Sequence, residues 1–268
     1  MIPVQANNAS FVDQLNWHSN RATSALARIS SGQKLLAPQD DAAGLAVASR
    51  MEAELMQLNA TANNLSSAVS YTQTQAGYLA GAQRVLDRMG ELAIRAQDGT
   101  LSDEMRSLYN TEFRALKETF NDARTAKYNE ADLFDGSARN VAISPENGSI
   151  LLGKVDLFTR DINAVTATET EVNTIGNATD ALKIIREAGD QLAQHHAGTG
   201  SVLSELRMAS EQIATARATT TESLSRIQDA NIADEITDFT REAILTQSSV
   251  FALQQANAPR AHLLNLLS

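Results

Sequence analysis

The chain has 268 residues, of which 43% are hydrophobic and only 4% aromatic, and it carries a net charge of -10 with no cysteine. The acidic balance argues against a nucleic-acid partner, since such binding depends on neutralising phosphates with Lys and Arg. The lack of cysteine removes disulfides and thiolate metal ligands, and no apolar run approaches the ~20 residues of a membrane span, so no membrane insertion is expected.

The first predicted helix runs from about Val4 to Ile29. Apolar residues recur there at alternating steps of three and four, which places them on one helix face. That stripe comprises Val4, Phe11, Leu15, Ala22, Ala25 and Ile29. Ser30, Ser31 and Gly32 are expected to end the helix. The opening residues lack the basic and apolar regions of a signal peptide, so we expect no conventional cleaved signal.

A second, long helix is predicted to begin after Asp40 and Asp41. A carboxylate at either position would accept the free N–H groups at the helix N-terminus and favour the dipole. Heptad spacing from Ala42 to Gln97 corresponds to roughly 80 Å of helix. A third helix, from about Ser102 to Lys127, carries many of the aromatic residues on one face and is expected to fill the thickest part of the core.

The middle of the chain contains a predicted β-hairpin. Val141–Ile143 and Ile150–Leu152 flank the sequence Pro-Glu-Asn-Gly, and Asn-Gly is a strong hairpin signal. The following stretch, Thr166–Thr174, is dense in Thr and Glu and is predicted to be an exposed loop.

A fourth helix mirrors the second, with heptad spacing over Ala178–Ile227, or roughly 75 Å. Gly198 and Gly200 are expected to weaken its middle and to favour a kink. The last helix is predicted from about Ala230 to the end of the chain, interrupted at Pro259. Its apolar stripe comprises Ile232, Ile236, Phe239, Ala243, Val250, Leu253, Leu264 and Leu267.

These elements predict an all-α dominated fold. It is a long antiparallel helical coiled-coil bundle with terminal helices and one small β-hairpin in the middle. The chain ends should meet at one end of the bundle. Because chain termini usually fray, narrow apolar stripes kept to both extremities indicate burial against other copies of the chain.

Candidate chemistry is sparse. Neighbouring His195 and His196 point about 100° apart on a helix and have no completing ligands, so no metal site is expected. Asp40 and Asp41 precede a helix, which favours a capping role over acid–base catalysis. The glycines near residue 200 lack a lysine and a preceding strand, so no nucleotide site is expected. The sequence therefore predicts no cofactor and no enzyme activity.

Several spaced segments carry a resemblance to a known family. They are Ile29-Ser30-Ser31-Gly32, Asp40-Asp41-Ala42-Ala43-Gly44-Leu45-Ala46, Leu92-Ala93-Ile94-Arg95-Ala96, Asp98-Gly99-Thr100, Ser225-Arg226-Ile227-Gln228-Asp229-Ala230, Gln254-Gln255-Ala256-Asn257 and Leu263-Leu264-Asn265-Leu266-Leu267. In these the chain resembles bacterial flagellin over roughly residues 1–135 and 175–268. It departs from the family in its short middle, without large outer domains, and in its opening residues, including Trp17 and His18.

The resemblance implies a secreted structural subunit of the bacterial flagellum, a coiled-coil protein that forms a helical polymer for swimming motility. It implies that residues 1–32 and 231–268 are polymerisation helices of the inner tube. Residues 33–135 and 177–230 would form the core rod, with the hairpin and exposed loop at 136–176. Implied partners are other copies, the flagellar export apparatus, an export chaperone, and the filament cap and junction proteins.

Specific residues follow from the same resemblance. The implied polymerisation core consists of Phe11, Leu15, Ala22, Ile29, Ile236, Phe239, Val250, Leu253, Leu264 and Leu267. The implied spoke or turn motif consists of Ser30, Ser31, Gly32, Asp40, Asp41 and Gly44. Arg88, Leu92 and Glu112 match positions through which a vertebrate Toll-like receptor senses some flagellins, although Gly90 replaces an Arg there. Arg88 and Glu112 can equally be ordinary surface charges.

Two rivals remain open on the sequence, and an enzyme is a third. A hook–filament junction protein shares the terminal helix design, although the Ser-Ser-Gly and Asp-Asp-Ala-Ala-Gly segments and the Leu-Leu ending favour flagellin. The helical signalling rod of a chemoreceptor is also an antiparallel heptad hairpin. The lack of membrane segments and the terminal motifs argue against it, and no catalytic site can be assembled for an enzyme.

Overall fold

The computed structural model describes residues 2–143 and 148–267, with side chains over residues 10–143 and 148–255. Helices dominate this part of the chain, with two short antiparallel strand pairs between them, which confirms the predicted fold class. In chain order the elements are α1 (Ile2–Ser31), α2 (Ala42–Ala96), α3 (Asp103–Arg124), β1 (Lys127–Tyr128), β2 (Ala131–Asp132), β3 (Arg139–Ala142), β4 (Ser149–Leu152), α4 (Arg160–Thr166), α5 (Ile175–Gln228) and α6 (Ile232–Leu267).

The chain divides into two compact units, and the boundaries fall inside the long helices α2 and α5. Unit 1 contains the residues up to Leu55 and those from Ala218 onward, so it includes α1, α6 and the adjoining ends of both long helices. Unit 2 is Met56–Arg217, which contains the rest of the long helices and the short elements between them.

The core of unit 2 lies between α2, α5 and α3. A Cβ built on Gly90 of α2 would lie 3.7 Å from Ile185 Cγ2, and one on Gly189 of α5 would lie 3.9 Å from Gln83 Nε2. Rising numbers on α2 therefore meet falling numbers on α5, so the two helices are antiparallel as predicted. The large buried side chains include Leu79, Leu86, Met89, Leu92, Phe113, Phe120, Phe134, Leu157, Ile162, Val165, Ile185 and Leu192.

The strands β3 and β4 form the predicted hairpin arms, with Ala142 opposite Ser149. Ile150 and Leu152 are buried, while Ser149 and Leu151 are exposed. This alternation packs one face of the hairpin into a second apolar cluster with side chains of α2 and α5. Asn147, which the predicted turn requires, lies outside the described residues.

The segment Thr166–Thr174, predicted to be an exposed loop, is exposed only in part. Thr170 is 6% exposed and Val172 is fully buried. Side chains of α3 satisfy the backbone of this segment, because Asn110 Oδ1 accepts from the Val172 N–H at 3.0 Å and Lys117 Nζ donates to the Thr170 carbonyl at 3.0 Å. A Thr-rich segment can thus be buried once a neighbouring helix supplies hydrogen-bond partners.

The long helices are more continuous than the sequence suggests. α5 runs without a break through Gly198 and Gly200, and α6 runs through Pro259, so the predicted interruption at Pro259 is wrong. The loss of one backbone donor at proline does not end this helix. Within the described ranges, no helix has both the length and the apolarity needed to cross a bilayer.

Candidate functional site

Two neighbouring aspartates organise the loop between α1 and α2. Asp41 Oδ1 accepts from the Gly44 N–H at 2.9 Å, so Asp41 caps α2. Asp40 Oδ2 instead accepts from the N–H groups of Leu36 and Ala37, each at 3.1 Å, and closes the loop on itself. These backbone donors, Leu36 first and then Ala37, hold the pKa of Asp40 below its ordinary value because they favour the charged carboxylate.

Two glycines are required by the geometry of this loop. Gly32 has a φ of +72° directly after the Ser-Ser end of α1, and its N–H donates to the Arg28 carbonyl at 2.8 Å. A Cβ on Gly44 would lie 2.5 Å from Asp41 Oδ2 and 3.1 Å from Leu35 Cδ1. Glycine at position 44 therefore lets the capping carboxylate lie directly against α2.

The same loop pairs with the junction between α5 and α6. The Lys34 N–H donates to the Gln228 carbonyl at 2.7 Å, and the Ala230 N–H donates to the Gly32 carbonyl at 2.9 Å. Leu35 is buried beside this pairing, at 6% exposure. Backbone bonds therefore hold the start of α6 at the end of α1, and both terminal helices belong to unit 1.

α1 and α6 pack antiparallel through charged contacts. His18 Nδ1 lies 2.6 Å from Glu242 Oε2, Arg21 Nε lies 3.3 Å from Glu242 Oε1, and Arg28 Nη1 lies 3.6 Å from Glu235 Oε1. Rising numbers on α1 again meet falling numbers on α6. The two terminal helices thus form a pair within one chain, whereas the terminal stripes were interpreted as surfaces buried against other copies.

Many bulky apolar side chains of this pair are exposed. Glu242 and Ser249, seven residues apart, are buried on the described part of α6, as is Ala25 on α1. By contrast, Ile244 is 62% and Phe251 is 68% exposed. The large exposed apolar side chains of α1 and α6, here called the outward stripe, are Val12, Trp17, Leu26, Ile232, Ile236, Ile244, Leu245, Val250 and Phe251.

The predicted polymerisation residues all lie on α1 or α6. Those that are half-buried in the pair are Phe11, Leu15, Ala22, Ile29, Phe239 and Leu253. Ile236 and Val250 are exposed, at 47% and 38%. Leu264 and Leu267 lie outside the residues whose side chains are described. Glu242 was not predicted from the sequence, because the stripe was defined by apolar residues and a charged residue is not counted in it.

The three residues matched to an immune receptor do not share one surface. Arg88 Nη2 lies 2.7 Å from Glu112 Oε1, and Arg88 Nη1 lies 2.8 Å from Glu91 Oε2. These carboxylates, Glu112 first, raise the pKa of the guanidinium. Leu92 has no exposed area and belongs to the core of unit 2. Arg88 and Glu112 are therefore surface groups, whereas Leu92 lies beneath them.

A metal centre finds no support in the part of the chain that the structure describes. Among those residues, no three His, Asp or Glu side chains come together in a way that could hold a metal ion. His195 is half-buried and its neighbour His196 is exposed.

Sequence comparisons connect both halves of the chain to one family. The profile of the bacterial flagellin N-terminal helical region matches residues 4–139, and that of the C-terminal helical region matches residues 182–267. The flagellin of Listeria monocytogenes serovar 1/2a is 31% identical, with 96% of this chain and 95% of that protein covered. The flagellin of Halalkalibacterium halodurans is 30% identical, with 92% of each covered.

Solved structures share the fold. A protein described as a flagellar hook-associated protein of Vibrio parahaemolyticus has a TM-score of 0.62 at 13% identity, covering 71% of this chain and all of that one. Bacillus cereus flagellin has a TM-score of 0.51 at 19% identity, covering 56% of this chain and 88% of the other. At these identities the likeness concerns the fold alone.

The fold and the near full-length matches define a helical structural protein of the bacterial flagellum. The chain belongs to the bacterial flagellin family, and it is a structural subunit of the extracellular flagellar filament. Neither a junction protein nor a chemoreceptor rod is favoured by these matches, and the family is a structural one rather than a family of enzymes.

Proposed function

We propose that this flagellin polymerises through α1 and α6. In the filament, the outward stripe of each copy becomes buried against the terminal helices of its neighbours. The terminal helices then form the inner wall of a helical tube, and the long helices form the shell around it. A tube held together in this way is stiff enough to convert motor rotation into thrust.

The observation that carries this proposal is the set of large apolar side chains that α1 and α6 leave exposed. Unit 2 covers large side chains such as Leu79, Phe113 and Phe120 completely, at 0% exposure. Unit 1 leaves a row of Ile, Leu, Val and Phe side chains open along both terminal helices. Exposed apolar side chains in this number on one helix pair favour a protein–protein interface, since covering apolar surface releases roughly 25 cal/mol per Å².

Removal of α6 tests the proposal. A chain truncated before Ile232 is expected to remain helical and soluble, because unit 2 keeps its own core, but to form no filaments. Electron microscopy and sedimentation of concentrated, seeded protein measure assembly, and circular dichroism measures helix content. The full-length chain carrying Gln247→Ser, an exposed polar change on α6, serves as the control. Filaments formed by the truncated chain would refute this assignment.

We further propose that the chain reaches the filament tip through the flagellar export apparatus, accompanied by an export chaperone and without a cleaved signal peptide. It then adds between the junction proteins at the base and the filament cap at the tip. Family membership supports this route. N-terminal sequencing of purified filaments tests the absence of cleavage, and loss of the segment ahead of Phe11 would contradict it.

We also propose that Arg88 and Glu112 contact a vertebrate Toll-like receptor, with Leu92 supporting the helix from below. Both charged groups are exposed enough to be reached from solvent, at 39% and 43% of their side chains. Reporter cells exposed to purified monomer test this contact. Arg88→Ala and Glu112→Ala should each weaken the signal, whereas Glu104→Ala, elsewhere on α3, should not. A silent wild-type chain would refute it.

A further inference from the structure

An open groove runs between α2 and α3 on unit 2. Its volume is about 530 Å³, and the residues that line it include Gly77, Tyr78, Gly81, Val85 and Leu116. A Cβ built on Gly77 or Gly81 would meet no neighbouring atom within 4 Å, so α2 presents bare backbone to this space. Because neither glycine has a positive φ, the conformation of α2 does not require them. This surface is here called the α2–α3 groove.

One unpaired cation lies at the α2–α3 groove. Arg84 is exposed and forms no ion pair with any residue that the structure describes. The Arg88 guanidinium, one turn further along α2, already lies 2.8 Å from Glu91 Oε2 and 2.7 Å from Glu112 Oε1. The described residues that line the groove include no acidic side chain. The groove therefore suits an apolar side chain accompanied by a carboxylate.

The long helix α5 carries a side chain of this kind on an exposed face. Met208 is 61% exposed, and Glu205 and Glu211, three residues to either side, are exposed as well. Residues three apart share one helix face, whereas Arg207 is turned about 100° away from Met208. Neither glutamate forms an ion pair with a residue of the described ranges. Glu205, Met208 and Glu211 are here called the Met208 ridge.

We propose that the Met208 ridge of one subunit docks into the α2–α3 groove of a second copy. The methionine lies over Gly77 and Gly81, where its unbranched thioether also contacts the ring of Tyr78, which is 41% exposed. The two glutamates of the ridge lie beside Arg84, so opposite charges meet at the edge of an apolar contact. This contact is separate from α1 and α6, and it rests on the proposed polymerisation.

The positions of the two surfaces on one subunit favour a row of copies. Because α2 and α5 are antiparallel, with Gln83 beside Gly189, Met208 lies roughly 20 Å along the helices from the α2–α3 groove at about 1.5 Å per residue. The ridge is on α5, which contributes none of the groove residues. A contact between two different surfaces is heterologous, and repetition of such a contact produces an open helical row.

Reversal of charge on each surface tests the contact. The groove variant is Arg84→Glu, the ridge variant is Glu205→Arg with Glu211→Arg, and a third chain carries all three changes. Seeded filament growth gives the critical concentration of each chain, as the protein left in the supernatant after sedimentation. The groove and ridge variants each place like charges together and should raise the critical concentration roughly tenfold. The combined chain restores opposite charges, so its value should return to within about threefold of wild type.

Matched reversals elsewhere on unit 2 separate the local contact from the net charge. Arg186→Glu matches the groove variant, and Asp180→Arg with Asp190→Arg matches the ridge variant; all three positions are exposed on α5. These controls should stay within about threefold of wild type. Controls that weaken assembly as much as the variants would overturn the proposal. A combined chain that assembles no better than the groove and ridge variants would overturn it as well.

Gly81→Leu fills the α2–α3 groove and tests its shape without a change of charge. Leucine favours a helix over glycine, so the midpoint of thermal unfolding should not fall, as measured by circular dichroism. The critical concentration should nevertheless increase roughly tenfold, because the methionine of the next copy can no longer be buried. Gly176→Leu, at an open position near the start of α5, should leave assembly unchanged. Gly81→Leu filaments that form at the wild-type concentration would contradict the docking.

Cross-linking identifies the two surfaces directly in filaments. The chain has no cysteine, so Thr74→Cys in the groove is combined with Ser204→Cys or Gln212→Cys, at the two ends of the ridge. A short bis-maleimide should join one of these pairs into a ladder of trimers and larger species, whereas chains with a single cysteine should give dimers at most. Filaments in which neither pair gives a ladder would refute the contact.

The same assays distinguish this contact from the proposed polymerisation through α1 and α6. Wild-type protein that forms no filaments at all would refute the proposed polymerisation. Wild-type filaments together with unchanged assembly of the groove and ridge variants would refute the contact of the Met208 ridge alone.

Discussion

Replacing Phe251 with serine removes an apolar side chain that the subunit itself leaves open. Phe251 is 68% exposed. A phenylalanine side chain buries about 200 Å² when it is fully covered, so roughly 135 Å² remains for a neighbouring copy to cover. At about 25 cal/mol per Å² this area is worth about 3 kcal/mol. Because about 1.4 kcal/mol changes an equilibrium constant tenfold, subunit addition should weaken roughly 100-fold.

Seeded elongation measures this effect as a critical concentration. Filament seeds are mixed with subunit over a range of concentrations, and the protein left in the supernatant after sedimentation is determined. The Phe251→Ser chain should require roughly 100-fold more subunit than wild type. Gln247→Ser, which changes an exposed polar residue of the same helix, should stay within about twofold. An unchanged critical concentration for Phe251→Ser would refute burial of this side chain between subunits.

Four further predictions concern the subunit itself. Phe120→Ala empties a fully buried position and should lower the free energy of unfolding by about 3–5 kcal/mol, measured by urea denaturation. Glu130 has a φ of +66°, so Glu130→Gly should stabilise the chain by about 1 kcal/mol in the same assay. Thr72 Oγ1 is buried without a hydrogen-bond partner among the described residues, so Thr72→Val should raise the midpoint of thermal unfolding. The control Thr199→Val removes a 2.9 Å hydrogen bond to the His195 carbonyl and should not raise that midpoint. The pKa of Asp40 is lower in the folded than in the unfolded chain, so its contribution is complete at neutral pH and is lost progressively as the pH falls below about 4. The stability deficit of Asp40→Asn relative to wild type at pH 7 should therefore shrink as the pH is lowered, and a constant difference would contradict this sign.

The long helices were predictable because their signals are local and repeated. Heptad spacing continues for many turns in α2 and α5, so a few exceptions do not hide the period. Helix ends were predictable where capping residues are explicit. Gly32 does end α1, and an aspartate does cap α2, although only the loop geometry distinguishes Asp41 from Asp40.

The segment after β4 was not predictable from its composition. Thr and Glu are typical of exposed loops, yet Val172 and Thr170 are buried. Their burial depends on Asn110 and Lys117, which lie on a helix about 50 to 60 residues away in sequence. The short helix α4 before this segment likewise lacks the length that makes a helical period visible.

The candidate site residues were likewise predictable only in part. A match by position selected Leu92 together with Arg88 and Glu112, but position along a helix does not reveal which side is covered. Packing against α3 and α5 buries Leu92 and leaves the two charged residues at the surface. Glu242 shows the opposite error. From the sequence, a charged residue is expected to be exposed, and only the structure shows the partners beside which it is buried.

The sequence by itself determined where the helices lie, that the terminal helices carry apolar stripes, and that the chain is similar to flagellins. Those properties depend on periodicity, capping residues and local order along the chain. Only the tertiary structure decided which face of α6 meets α1, and that Ile244 and Phe251 remain open while Glu242 is buried. The physical reason is that burial is a property of pairs of elements, and the partners here are separated by more than two hundred residues.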